Sequence, residues 1–412
     1  MLSDAKKICL NAIESCLPDK AVKEALRQKK PTGDIYLVAV GKASFRMASA
    51  ACEMLAIRKG IVISKYNHIP GKIDKVETYE AGHPVLDENS LKATGAIIEM
   101  CSNLKETDTV LFLLSGGASA LFEKPLVSLE ELQDISDQML KKGLSITEIN
   151  TIRKKLSMVK GGRFARLCEP AKVCSIILSD VLSDSLDVIG SGPTADDTTD
   201  GKDALKIIEE YHLDIRKETL DLIAGSRNVR VGNCENTIIG SVKILVRNAM
   251  KEAEKLGYKA VLIDDGIDCE AKEAGDLLYE NILKHLHDKE DIALIMGGET
   301  TVKVKGKGLG GRNQELVLSQ AKHISGLDNV LIVSLGSDGT DGPTDAAGGY
   351  VDGNTLKMLQ NANIDIDEIM ANNDSYHALK AIDALIKTGP TGTNVNDITI
   401  ALISSSDSPV IN

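Results

Sequence analysis

Five runs of apolar, largely β-branched residues recur along the chain, and each passes directly into glycine, serine or aspartate. They are IYLVAV at 35–40, TVLFLL at 109–114, VCSIIL at 173–178, IALIM at 292–296 and VLIVSL at 330–335. Uninterrupted runs of this kind suit strands covered on both faces, as in a parallel sheet, because a half-exposed strand would alternate apolar with polar. Helically spaced stretches lie between them, and S-x-x-E capping boxes at Ser128/Glu131 and Ser145/Glu148 mark two helix starts. Alternation of this type specifies an α/β chain built in layers. At 412 residues the chain is too long for one ordinary domain. The reading is therefore two α/β/α layered domains, residues 1–225 and 226–412, with the change falling within 215–235.

Composition narrows the function classes. A net charge of −12 and 3% aromatic residues, with no Trp, disfavour a general nucleic-acid binder, which needs basic surface and stacking platforms. The amphipathic N-terminus MLSDAKKICLNAIESCLP has no continuous apolar core, so neither a signal peptide nor a membrane span is expected. The 8 cysteines show no C-x-x-C pair and no metal-ligand spacing, which points to a reduced, cytoplasmic setting. Cys9 and Cys16 fall on the apolar face of the first helix. The histidines show no paired ligand spacing, so a zinc site is not expected.

In open parallel sheets ligands bind beyond the carboxyl ends of the strands. Those ends read Lys42 in Gly-Lys-Ala, Ser115-Gly116-Gly117-Ala118-Ser119, Asp180 in SDVLSD, Glu299 in GGET, and Asp338 in GSDGTDGPTD. These types suit phosphoryl transfer. Residues 115–119 can form a backbone nest for phosphate oxygens. Asp180, Glu299 and Asp338 are candidate Mg²⁺ ligands, since that ion takes few carboxylates and keeps waters. Lys42 and Arg312 are candidates to neutralise charge on the transferred group. Asp180 is also the candidate general base. The glycine-rich stretch 297–311 precedes a helix expected from about Asn313, whose free N–H groups would point at an anion. Gly310 and Gly311 are accordingly expected to approach a phosphate. The window 151–166 holds Arg153, Lys154, Lys155, Lys160, Arg163 and Arg166 without a carboxylate. In an acidic chain it is expected to face an anionic ligand, with a solvated helix face as the alternative.

Two familiar motifs do not survive inspection. No G-x-x-x-x-G-K-[ST] is present. Gly306–Gly311 matches G-x-G-x-x-G literally, but late in the chain, with Lys307 inside it and no convincing ribose-binding acid after the next strand. Asn372-Asn-Asp-Ser375 reads chiefly as a helix cap, with a ligand role as the alternative.

Several long motifs together resemble the glycerate 2-kinase family, whose members carry a C-terminal MOFRL domain. They are VAVGKAS (38–44), AGHPVLDENS (81–90), LLSGGASAL (113–121), NTIRKKLSMVKGGRFA (150–165), LSDVLSDSLDVIGSGPT (178–194), MGGETTVKVKGKGLGGRNQEL (296–316), GSDGTDGPTDAAGGYVDG (336–353) and TGPTGTNVNDITI (388–400). The resemblance spans nearly the whole chain. It implies a Rossmann-like N-terminal domain and a MOFRL domain with the active site in the cleft between them. It further implies ATP- and Mg²⁺-dependent phosphorylation of D-glycerate to 2-phosphoglycerate, with another divalent ion allowed. By position it points to Lys42 and Arg312 as the principal catalytic cations and to 115–119 as the phosphate cradle. Arg153, Lys160 and Arg163 become the candidates for holding the glycerate carboxylate. Relatives often carry His where this chain has Lys155, so no essential role is assigned there. ATP and glycerate are the expected partners, and a homodimer is allowed. The alternatives are a hydroxypyruvate reductase using NAD(P)H and a non-catalytic nucleotide-binding module. The first lacks an early dinucleotide fingerprint; the second leaves the acids at 338–345 without a role.

Overall fold

The computed structural model describes residues 1–405. The chain forms two compact units, Pro18–Ile239 and a second that joins Met1–Leu17 to the chain from Gly240 onward. This division departs from an expected boundary at 225/226 in two places. Strand β6 (Cys234–Gly240; numbering in chain order) completes the first sheet instead of opening the second. The first helix, Leu2–Ser15, buries Ala5, Ile8, Cys9, Ala12 and Ile13 and packs on helix Val242–Lys255. Asn11 donates to Glu252 at 2.9 Å and the Tyr258 hydroxyl to Asp4 at 3.0 Å, fixing that helix to the second unit.

The first sheet holds β1 (Ile35–Val40), β2 (Ile57–Lys65), β3 (Val76–Ala81), β4 (Thr109–Leu114), β5 (Lys172–Leu178) and β6 in the order β3-β2-β1-β4-β5-β6. The pairs β1–β2, β1–β4, β2–β3 and β4–β5 are parallel. This is the doubly wound order, whose direction reverses between β1 and β4. All of β4 is buried, and since side chains alternate across a strand, both faces of the sheet must be covered. Phe112, Phe122 and Phe164 form the centre of that core, with ring centroids 5.0–5.7 Å apart. They are three of the chain's 4 phenylalanines, so its few large rings serve packing. The sequence reading has no β3, because VETYEA is polar and only partly buried.

The second sheet contains β7 (Lys259–Ile267), β8 (Ile292–Gly298), β9 (Val330–Gly336), β10 (Gly348–Asp352), β11 (Leu385–Ile386) and β12 (Asp397–Ile403), ordered β11-β10-β9-β12-β8-β7. Every residue of β8, β9 and β12 is buried, as apolar runs require. The sheet is mixed, however, where strand–helix alternation predicts parallel neighbours. β7 and β8 are parallel, while β12 runs antiparallel to both β8 and β9. That reversal matters for the site. It sets Asp397, the first residue of β12, opposite Gly298 and Gly336, the last residues of β8 and β9. Among the described residues no helix is long and apolar enough to cross a membrane, and all 8 cysteines are free.

Candidate active site

In the first unit the β1/β4 switch point brings together residues distant in sequence. Lys42 N–H donates to the Gly116 carbonyl at 2.9 Å, and Ala43 N–H to Ser115 Oγ at 3.1 Å. The turn after β1 is thus stitched to the turn after β4. Gly117 sits at φ +89° and opens the short helix Ala118–Leu121. A Cβ on Gly116 would stand 2.3 Å from Asp180 Oδ2. One on Gly117 would stand 3.0 Å from His83 Nε2 and 3.5 Å from Lys42 Cε. The glycines are therefore required by close approach, and Lys42, His83, Asp180 and the 115–119 loop share one crevice. The Lys42 ammonium makes no ion pair or hydrogen bond among the described residues, and neither do the N–H groups of Gly116 and Gly117.

His83 escaped the sequence reading because a lone histidine in a Gly-His-Pro turn carries no spacing signal. Partial burial, then the charges of Lys42 and Lys65, push its imidazole below the usual histidine range.

Apart from exposed Arg166, the cations of the basic window turn inward, contrary to the expectation that they face a ligand. Lys160 is fully buried; its ammonium donates to the carbonyls of Ser119 at 2.9 Å and Phe122 at 3.1 Å, with Glu123 Oε2 at 3.6 Å. Burial pulls this amine down to about 8, against the attraction of Glu123. Arg153 also donates to the Ser119 carbonyl, at 3.0 Å, and lies 3.8 Å from Glu123. Lys154 pairs with Asp187 at 3.2 Å, and Lys155 with Asp197 at 2.6 Å. Arg163 reaches Ser226 at 2.9 Å and lies 3.9 Å from Asp197. The acids that neutralise the window come from other segments, which a local count of charge does not see. Lys160 and Arg153 brace the 115–119 loop from behind, so the direct carboxylate-binding role expected of Lys160 gives way to support. Arg153 and Arg163 stay partly accessible, at 15% and 20%.

In the second unit Arg312 opens the helix Arg312–Gln320. Its Nε donates to Asp397 Oδ2 at 2.6 Å and its Nη2 to Asp397 Oδ1 at 3.0 Å, a bidentate pair. Nη1 donates to Glu299 Oε1 at 3.0 Å, and Glu299 Oε2 accepts from Asn396 at 3.0 Å. Burial alone would lower the pKa of the guanidinium, but the bond to Asp397 and the charges of Asp397, Glu299 and Asp341 outweigh it and hold it above its usual value. Burial pushes the Asp397 carboxyl up to about 6, even against Arg312. The guanidinium keeps 34% of its side chain exposed and N–H groups uncommitted by these bonds.

The helix N-terminus itself corrects an expectation. Asn313 and Gln314 N–H donate to the Asp341 carboxylate at 3.1 and 2.9 Å, so the protein's own anion occupies the place foreseen for phosphate. Gly311 and Gly310 serve that packing, since a Cβ on either would lie 2.2 Å from Asp341 Cγ or Ser375 Oγ respectively. The rest of the glycine-rich stretch is clamped by 372–374. Asn373 Oδ1 accepts from Lys305 and Gly306, Asn372 Oδ1 from Lys307, and Asp374 Oδ1 from Leu309, at 2.8–3.1 Å. The Asn-Asn-Asp segment is a loop clamp, and no side-chain cap bond is made at helix Ser375–Ala381.

Among the described residues no three His, Cys, Asp or Glu gather as a metal-ligand group. Glu299 and Asp338 belong to one unit and Asp180 to the other. Mg²⁺ needs less than a full protein cage when phosphates and waters complete its shell. The oxygens at the ends of β8 and β9 fit that: a Cβ on Gly336 would meet Asp338 Oδ1 at 3.4 Å and Asp397 Oδ1 at 3.5 Å, and Glu299 is 47% exposed. Asp338 Oδ1 also accepts from Thr340 N–H at 2.9 Å, which shapes its loop.

Known proteins resemble the chain over nearly its whole length. Residues 4–224 match the family described as Domain of unknown function (DUF4147), and residues 292–397 match the MOFRL family. The chain is 51% identical to the D-glycerate 2-kinase of Thermotoga maritima, over 97% of each chain. It is 36% identical to a putative hydroxypyruvate reductase of Agrobacterium vitis, over 95% of this chain and 92% of that one. A crystal structure of glycerate kinase from Thermotoga maritima superposes with a TM-score of 0.94 at 50% identity, covering 97% of this chain and 99% of the other. A β1/β4 switch-point crevice followed by a MOFRL region, along the full length of such relatives, places this chain in the glycerate 2-kinase family.

Proposed function

We propose that the chain transfers the γ-phosphoryl group of ATP to the 2-hydroxyl of D-glycerate, giving 2-phosphoglycerate and ADP. The observation that carries this reading is Lys42, a lysine at the switch point whose ammonium has no partner among the described residues, beside N–H groups of Gly116 and Gly117 that have none there either. A cation and two amides converging on one crevice are what a phosphoryl group or a carboxylate requires. The name of the Thermotoga maritima relative supplies the substrate. Lys42 and the 115–119 loop would bind the transferred phosphoryl or the acceptor. Arg312, held flat by Asp397, would meet charge developing on the equatorial oxygens. Arg153 and Arg163 remain candidates for the glycerate carboxylate. Mg²⁺ would be held by Glu299 and Asp338 and would supply charge neutralisation on the phosphates.

The name of the Agrobacterium vitis relative favours a second reading, reduction of hydroxypyruvate. Against it, the first βα turn is Gly41-Lys42-Ala43-Ser44, without a dinucleotide glycine pattern, and the late glycine run folds onto 372–375. A parallel assay separates the two. ADP release that depends on D-glycerate and Mg²⁺ is expected; NAD(P)H oxidation with hydroxypyruvate and no ADP release would overturn the kinase reading.

A further inference from the structure

Phosphoryl transfer to a hydroxyl needs a group to take the hydroxyl proton, and the crevice holds one that the motifs do not assign. His83 lies in the turn after β3, which is fixed at its far end. Asp87 caps helix Glu88–Cys101 through Ser90 N–H at 3.0 Å and accepts from the Tyr66 hydroxyl at 2.6 Å. Both ring nitrogens of His83 are without a hydrogen bond among the described residues. The edge of the ring faces Gly117: a Cβ there would stand 2.9 Å from His83 Cδ2, 3.0 Å from His83 Nε2 and 3.5 Å from Lys42 Cε. An uncommitted imidazole therefore borders the same space as Lys42 and the 115–119 loop.

We propose that His83 is the general base of the transfer, accepting the proton of glycerate's 2-hydroxyl at Nε2; this rests on the kinase reading above. As the hydroxyl oxygen bonds to the γ-phosphorus, the bond from that phosphorus to the β,γ-bridging oxygen breaks. The nucleoside diphosphate leaves with the electron pair, and the proton moves to His83 and then to water. The surroundings suit a base. Lys42 and Lys65 face the ring with positive charge and disfavour the imidazolium, as does partial burial. The acids nearby are Asp87 on its own turn, 3.1 Å from where a Gly82 Cβ would be, and Asp180 beyond Gly116. Asp180 is the competing base, and substituting each residue in turn separates the two.

The test is the pH dependence of kcat/KM for D-glycerate at saturating Mg-ATP, from about pH 5 to 9, in wild type, His83→Asn, His83→Gln and Asp180→Asn. Wild type is expected to lose activity on acidification with a midpoint below the ordinary histidine pKa of about 6.5. Both His83 variants should fall by roughly 10²–10⁴-fold and lose that limb, while Asp180→Asn keeps it. NMR titration of the His83 imidazole in wild type should give the same midpoint, a readout that needs no variant to fold. Wild-type rates in either His83 variant, an acidic limb that persists in them, or an imidazole midpoint that differs from the limb would overturn the assignment. An absence of glycerate-dependent ADP release in wild type would instead overturn the kinase reading beneath it.

Discussion

The role proposed for Arg312, contact with a planar phosphoryl group, requires its own plane to be fixed, and Asp397 fixes it through two bonds of 2.6 and 3.0 Å. Replacing Asp397 by Asn keeps the shape but removes the charge and one acceptor. Steady-state kinetics should then show kcat lower by about 10²-fold with a smaller change in KM, as when a transition-state contact is misplaced. Wild-type kcat in a folded Asp397→Asn variant would remove it from the positioning of Arg312. Arg312 was legible as a cation ending a glycine-rich stretch. Asp397 was not, because it begins a strand, and only the antiparallel course of β12 carries it to the ends of β8 and β9. Lys160 shows the opposite failure: its charge was legible but its direction was not. Its pKa falls from 10.5 in the open chain to about 8 when folded. Between those values the unfolded state binds more protons, so stability from this group rises with pH. Denaturation of wild type against Lys160→Met should show wild type gaining on the order of 3 kcal/mol relative to the variant across that window. A flat or falling difference would mean that the ammonium is not desolvated.

The helix Arg312–Gln320 and the glycine-rich stretch before it were readable as strand, hinge and helix from spacing alone. Their partners were not, because 341 and 372–375 are brought in by the fold. Asp341 closes the helix N-terminus with four donors around one carboxylate: the N–H groups of Asn313 and Gln314 and both their side-chain amides. Burial raises the Asp341 pKa in spite of these bonds. Asp341→Ala strips the cap and leaves buried N–H groups unpaired, which should cost about 3 kcal/mol by chemical denaturation. Asp341→Asn, which keeps one acceptor, should cost less. Equal stabilities for wild type and the Ala variant would show that the helix start is held by something else. The same logic explains two strands that composition does not mark: β3 and β10 are short or polar, so their pairing rather than their composition makes them strands.

At the scale of the molecule, alternation of apolar strands and helices made the α/β class and a two-part chain legible. The assignment of the first helix was not, since an amphipathic helix does not state which sheet it covers. Its buried face packs with the second unit, so deleting residues 1–17 should lower the melting temperature of the segment that carries Arg312. Hydrogen exchange reads this directly, with faster exchange expected in helix Val242–Lys255 and in β7 rather than in β1–β6. Unchanged protection there would contradict the division into units. The switch point of the first sheet was foreseeable from the rule for parallel strands, and it is where Lys42 and the 115–119 loop lie. These charges are proposed to serve phosphoryl transfer to one oxygen of glycerate, and the most direct measurement of that is ³¹P and ¹³C NMR of the product formed from D-glycerate, ATP and Mg²⁺ by the wild-type chain. A phosphate coupled to C2, absent with Lys42→Ala and Arg312→Ala, is the predicted result; a phosphate on C3, or unphosphorylated glycerate with wild type, would contradict it.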